Sequence, residues 1–169
     1  RAVDGGAVLL LDAGDLFQGS LESNLTEGAV VVSAYNAIGY AASAIGNHEF
    51  DFGPAGDAAT PEASDGDPRG ALKARAVEAR FPFLAANILD ESTDRPVQWP
   101  NVRPSTIVNV AGFRVGVVGL TTAAALRATM SANTRGLAIA ALAPTLTTEA
   151  VRLRQSGATI VVATAHAGG

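Results

Sequence analysis

Two rhythms of apolar residues run along this chain, short unbroken runs and longer stretches spaced for a helix. Val8-Leu9-Leu10-Leu11 is unbroken and closes on Asp12-Ala13-Gly14-Asp15, the profile of a strand buried on both faces that ends in a loop. Gln18 to Glu27 is polar and reads as loop, with Thr26 as an N-cap for the next helix. From Gly28 to Ile38, Val31, Ala34, Tyr35 and Ile38 recur at helical spacing, and Gly39 ends the helix. Tyr40 to Ile45, small and apolar, predicts a second strand.

Gly53 to Gly70 is rich in Gly, Pro and acidic residues (Asp57, Glu62, Asp65, Asp67) and reads as a long solvated surface loop. Ala71 to Ala79 comes next as a short helix and Phe83 to Ile88 as a third strand. After a polar turn region containing Trp99 and Pro100, Thr106-Ile107-Val108 and Arg114 to Val118 flank Ala111-Gly112 as a hairpin, and Gly119-Leu120-Thr121-Thr122 leaves it as a loop. Pro144 near a helix start, with Leu146, Ala150 and Leu153 and then Gly157, predicts the last helix. Thr159 to Ala163 is the strand that delivers His166. Strands and helices thus alternate, which favours a layered α/β fold.

A chain of 169 residues is long enough for one domain, burying roughly 70% of the surface its unfolded form exposes. It has no cysteine, which excludes disulfides and thiolate metal sites, so any metal must use imidazole, carboxylate or amide ligands. The net charge is −4, from 12 basic and 16 acidic residues, and no basic run could neutralise a row of phosphates. A nucleic-acid polymer is therefore not an expected partner. Small phosphorylated ligands remain open, because a metal supplies positive charge locally. The longest apolar runs fall far short of the ~20 residues that span a bilayer. Arg1-Ala2-Val3 lacks an initiator methionine and Ala167-Gly168-Gly169 closes directly on a motif, so the chain reads as an internal fragment.

The chemistry concentrates in Ala44-Ile45-Gly46-Asn47-His48-Glu49-Phe50-Asp51-Phe52-Gly53. Gly46 lets the backbone turn where a side chain would obstruct, and Asn47 and His48 emerge at a strand's end, where open α/β sheets place their ligands. Asp15, Asn47 with His48, and His166 each come after an apolar strand, and in a mostly parallel sheet such ends share one edge. A carboxylate can bridge two divalent cations, an asparagine carbonyl is a neutral oxygen ligand, and imidazole suits Zn, Mn, Fe or Co. Asp51, three residues after His48, could fix the tautomer of that imidazole and leave its other nitrogen free for proton donation. Each residue also has a plainer reading: Asp15 as a turn cap, Asn47-His48 as turn chemistry, His166 as a core histidine. Against these, the chain has 2 histidines and both stand at strand exits.

Gly14-Asp15-Leu16-Phe17-Gln18-Gly19, the Gly46 to Gly53 block and Ala165-His166-Ala167-Gly168-Gly169 resemble successive motifs of the calcineurin-like metallophosphoesterases, in the 5′-nucleotidase branch. Ala85-Ala86-Asn87-Ile88 and Val118 to Thr122 resemble that branch as well. The resemblance implies a four-layer α/β/β/α metallophosphoesterase fold, incomplete at both ends, with residues 1–169 a partial N-terminal catalytic domain and a nucleotide-recognition domain outside the chain. It implies two divalent metal ions (Mn, Zn, Fe or Co), with Asp15 bridging both and Asn47 and His166 on the second. His48 and Asp51 would be the catalytic pair.

The implied reaction is hydrolysis of a 5′-nucleotide, a UDP-sugar or a 2′,3′-cyclic nucleotide by a metal-bound hydroxide, in the periplasm, at the cell surface or in secreted form. Alternatives are a thiosulfohydrolase-type relative on the same scaffold and an inactive binding module. The family's Asp-x-His block would precede Arg1 and its downstream histidine block would come after Gly169. The chain is therefore expected to hold most of one metal's ligands, little of the other's, and no activity alone. Glu49 has no role that spacing assigns.

Overall fold

The computed structural model describes residues 5–56 and 66–167. Asp57, Glu62 and Asp65 of the acidic loop, and Gly168-Gly169 of the last motif, lie outside the described residues. In chain order the elements are β1 (Leu11–Asp12), α1 (Leu21–Leu25), α2 (Ala29–Ile38), β2 (Ala42–Ala44), α3 (Gly70–Glu78), β3 (Phe83–Leu84), β4 (Ile88–Asp90), β5 (Arg95–Pro96), β6 (Val102–Arg103), β7 (Ser105–Val110), β8 (Phe113–Thr121), α4 (Ala123–Arg127), α5 (Ser131–Thr134), β9 (Leu137–Ile139), α6 (Leu142–Gln155) and β10 (Ile160–His166). A 3-10 turn covers His48–Phe50.

Two principal sheets lie face to face. One runs β1-β2-β3-β6, parallel throughout, and the other β10-β8-β7, with β10 parallel to β8 and β7 antiparallel to it. Between them sit Ala42, Leu84, Val115 and Val117, with Leu9, Leu11 and Val162 against them. Small residues let the sheets approach: a Cβ on Gly119 of β8 would collide with the backbone and Cβ of Leu84 on β3. Outside the first sheet, Val32 of α2 and Leu72 and Ala76 of α3 cover Phe83 and Ile45. Outside the second, Leu146 and Leu153 of α6 cover Val118 and Leu120. The layers are thus α/β/β/α, the order that the resemblance implies. A small antiparallel sheet, β5-β4-β9, flanks them.

The hairpin forms as expected, with Val110 facing Phe113 and positive φ at both Ala111 (47°) and Gly112 (82°), the geometry that matches strand twist in a tight turn. Other elements differ from the sequence reading. The first strand pairs only over Leu11–Asp12, and Val8 is exposed rather than buried. Gln18 to Glu27 contains α1, whose N-cap Ser20 accepts the Ser23 N–H at 3.2 Å. The cap of α2 is Gly28, not Thr26, although the Thr26 hydroxyl accepts the Val30 N–H at 3.3 Å.

Phe83 to Ile88 is not one strand. It crosses between sheets at Ala85-Ala86-Asn87, where the buried Asn87 amide bonds the Thr121 carbonyl (2.7 Å) and N–H (2.9 Å). The predicted loop at Gly119 to Thr121 is the end of β8, because that stretch pairs with β10 through His166.

Candidate active site

Three strand exits meet at one end of the stacked sheets. Asp15 comes after β1 and Asn47 and His48 after β2, both in the first sheet, whereas His166 ends β10 in the second. The single sheet edge expected from the sequence is therefore replaced by the matched ends of two sheets. Thr121, the last residue of β8, ties them: its hydroxyl donates to the Ile45 carbonyl at 2.5 Å. The next N–H, from Thr122, donates to the His166 carbonyl at 3.1 Å.

The two nearby aspartates do different work. Asp12 accepts from the Gly14 N–H (2.7 Å), the Ser43 hydroxyl (3.0 Å) and the Tyr35 hydroxyl (2.9 Å), so its carboxylate is consumed in holding the strand end. Asp15 keeps one oxygen open. Its Oδ1 accepts the His48 N–H at 3.0 Å, and its Oδ2 stands 3.3 Å from His166 Nε2 and 4.0 Å from His48 Nε2. Asp15 adopts φ 70°, a left-handed conformation uncommon for a residue with a side chain.

Glu49 holds that conformation. It is 1% exposed and accepts the N–H groups of Asp15 (2.8 Å), Leu16 (2.7 Å) and Gly46 (2.6 Å). One carboxylate thus clamps the loop after β1 to the loop after β2. Burial pushes the Glu49 carboxyl up to about 7, against the pull of these N–H donors. Gly46 is obligatory for packing, since a Cβ there would overlap Asp15 Oδ1 and reach 2.9 Å from His166 Nδ1.

His48 and Asp51 pair across one turn of 3-10 helix, with Nδ1 and Oδ2 2.5 Å apart. Gln18 Nε2 also donates to Oδ2 (2.8 Å), and the Thr129 hydroxyl donates to Oδ1 (2.7 Å). Asn133 fixes the turn by donating from Nδ2 to the Phe50 carbonyl at 2.8 Å. Burial alone would lower the His48 pKa, but the bond and charge of Asp51, with the charges of Asp15 and Glu49, hold it above its ordinary value. Glu49, Thr129 and Asn133 were not legible as site residues; Thr129 and Asn133 lie about 80 residues from their partners.

His166 Nε2 lies 3.0 Å from Asn47 Oδ1 and 3.3 Å from Asp15 Oδ2. The imidazole nitrogen thus stands from the amide oxygen and from the carboxylate oxygen at separations that ligands sharing one ion with bonds of about 2.0–2.2 Å adopt. The donor set fits one divalent cation in part. Among the described residues no three His, Asp or Glu side chains form a metal-holding cluster, so the donors for a second ion are not assembled here.

The scaffold defines the class by its fold, that of the calcineurin-like phosphoesterases. No protein-family model matches the chain. Over 115 residues (68% of this chain, 17% of the relative) it is 38% identical to the snake venom 5′-nucleotidase of Gloydius brevicauda. The solved 5′-nucleotidase precursor of Thermus thermophilus is similar at 30% identity and TM-score 0.75, over 98% of this chain and 28% of that one. The Thermus thermophilus sulfate thiohydrolase SoxB is similar at 25% identity and TM-score 0.74, over 95% of this chain and 26% of that one. Within the class, the chain belongs to the 5′-nucleotidase family. It spans under a fifth of the length of the curated relatives it matches.

Proposed function

We propose that this chain carries part of the catalytic centre of a metal-dependent phosphate-ester hydrolase acting on nucleoside 5′-phosphates such as AMP, with UDP-sugars and 2′,3′-cyclic nucleotides as further substrates. The reading rests on the meeting of Asp15, Asn47 and His166 beside the His48–Asp51 pair. Those first three residues would hold one divalent ion; Mn, Zn, Fe and Co all suit a mixed oxygen and nitrogen set. A second ion, shared through Asp15, would take its remaining ligands from elsewhere in the protein. When bound, such ions neutralise phosphoryl charge and acidify a coordinated water.

The chain's own residues supply the rest. With Nδ1 engaged by Asp51, His48 has Nε2 free on the side of Asp15. The protonated ring donates from Nε2 to the oxygen that leaves with the nucleoside, so that oxygen departs as a hydroxyl and not as an alkoxide. Asp51 keeps the proton on Nδ1 and stabilises the imidazolium that donates. Glu49 holds the Asp15 loop in place. The similarity to a snake venom 5′-nucleotidase supports secretion as the setting. Among the described residues no helix is long and apolar enough to cross a membrane.

Phosphate release from AMP by the full-length protein that contains this chain tests the reading, with and without Mn²⁺ and with chelator. Metal-dependent release that falls on the order of 10²-fold or more in His48→Ala is expected. The similarity to SoxB supports a second reading, hydrolysis of a sulfur-linked substrate. Sulfate release with no phosphate release from any nucleotide would select it.

A further inference from the structure

Away from the strand exits, a cavity of about 440 Å³ is lined by Arg69, Asp90, Arg95, Gln98, Trp99 and Leu137, among others, and shares no lining residue with the candidate active site. Arg69 stands at the start of α3 with its guanidinium carbon 6.0 Å from the centre of the Trp99 ring. Its Nε is shut off from solvent and has no hydrogen-bond partner among the described residues. Burial pushes this guanidinium below its ordinary value, and the charges of Asp67 and Asp90 only partly offset that. The side chain of Arg95 makes no hydrogen bond or ion pair among the described residues.

Neighbouring charges are already engaged. Lys73, 5.6 Å from the same ring centre, bonds Asp67 at 2.7 Å, and Asp90 Oδ1 accepts the Ser92 N–H at 2.8 Å. Two guanidiniums and one carboxylate therefore leave the cavity with a positive excess in a chain whose net charge is −4.

An unpaired, partly desolvated cation is costly, and its natural complement is an anion that accepts several N–H bonds at once. Guanidinium forks match oxyanions in geometry as well as charge. We propose that this cavity is a second ligand site, for a divalent oxyanion of the phosphate class held by Arg69 and Arg95, with the Gln98 amide as a neutral donor and Trp99 as the wall. A monovalent carboxylate would satisfy one guanidinium and leave the other unpaired. The proposal is independent of the reaction at the strand exits.

Trp99 is the chain's only tryptophan, so its fluorescence reports this cavity directly. The 169-residue chain is titrated with inorganic phosphate in chelator at constant ionic strength, with AMP and acetate as parallel arms. A saturable change is expected with phosphate, weakened on the order of 10-fold in Arg69→Gln and in Arg95→Gln and strengthened in Asp90→Asn. Tighter binding of AMP than of phosphate would identify an ester as the ligand, and the reverse the free ion. Arg95 is exposed, so its variant keeps the fold. No saturable change, an unchanged midpoint in Arg95→Gln, or acetate binding as well as phosphate would each overturn the proposal.

Discussion

The buried carboxylate of Glu49 accepts the backbone N–H of Asp15, 34 residues away, at 2.8 Å. The same carboxylate takes the Leu16 and Gly46 N–H groups, so its removal strands three donors in the interior. Each stranded buried donor costs about 1–3 kcal/mol. Glu49→Ala is expected to lose several kcal/mol in urea unfolding, and Glu49→Gln less, since one acceptor oxygen survives. A loss below about 1 kcal/mol in Glu49→Ala would refute the clamp.

The His48–Asp51 pair makes a signed statement about pH. The folded pKa of His48 lies above its ordinary 6.5, so the folded chain holds a proton that the unfolded chain has released. Its stabilisation is complete below 6.5 and disappears as pH rises through the folded value. In metal-free protein, Asp51→Asn is expected to lower the His48 pKa in an NMR titration and to remove this part of the stability profile. An unmoved titration would show that the 2.5 Å contact does not govern the ring.

Gly46 tests how closely the site is packed. A Cβ there meets Asp15 Oδ1, the Asp15 nitrogen (2.8 Å) and His166 Nδ1 (2.9 Å). Gly46→Ala is expected to cost about 1–3 kcal/mol by overpacking and to weaken Mn²⁺ binding by moving two of the three donors. Affinity equal to the parent's in calorimetry would contradict the crowding.

Metal binding by the 169-residue chain is expected to have a stoichiometry of one, not two. At 100 times its dissociation constant, Mn²⁺ should raise unfolding stability by about 2.7 kcal/mol, reversed by chelator. His166→Ala should abolish the effect. Two tight sites in the isolated chain would overturn the half-site proposal.

Much of this was legible because local chemistry carries it. The Gly46 to Gly53 block sets its turn, its imidazole and its carboxylate within eight residues, and the i to i+3 spacing of His48 and Asp51 closes a pair inside one turn. The apolar run Ile160 to Ala163 marked β10, and the Ala111-Gly112 dipeptide marked the hairpin of β7 with the first part of β8. The helix α1 was hidden because its five residues, Leu21–Leu25, are too few for a periodic signal. The short α4, α5 and β9 carry equally little.

By itself the sequence determined the alternation of elements, the residues at the strand exits and the absence of thiolate chemistry, since all of these depend on residue type and near-neighbour spacing. Tertiary structure alone decided that His166 arrives from a second sheet, that Glu49 clamps two loops, and that Thr129 and Gln18 hold Asp51. The reason is physical. Apart from the bond of Glu49 to Gly46, these contacts join backbone and side-chain groups 33 or more residues apart, and which groups meet at such separations is set by how the two sheets stack and where Gly46 and Gly119 let them approach.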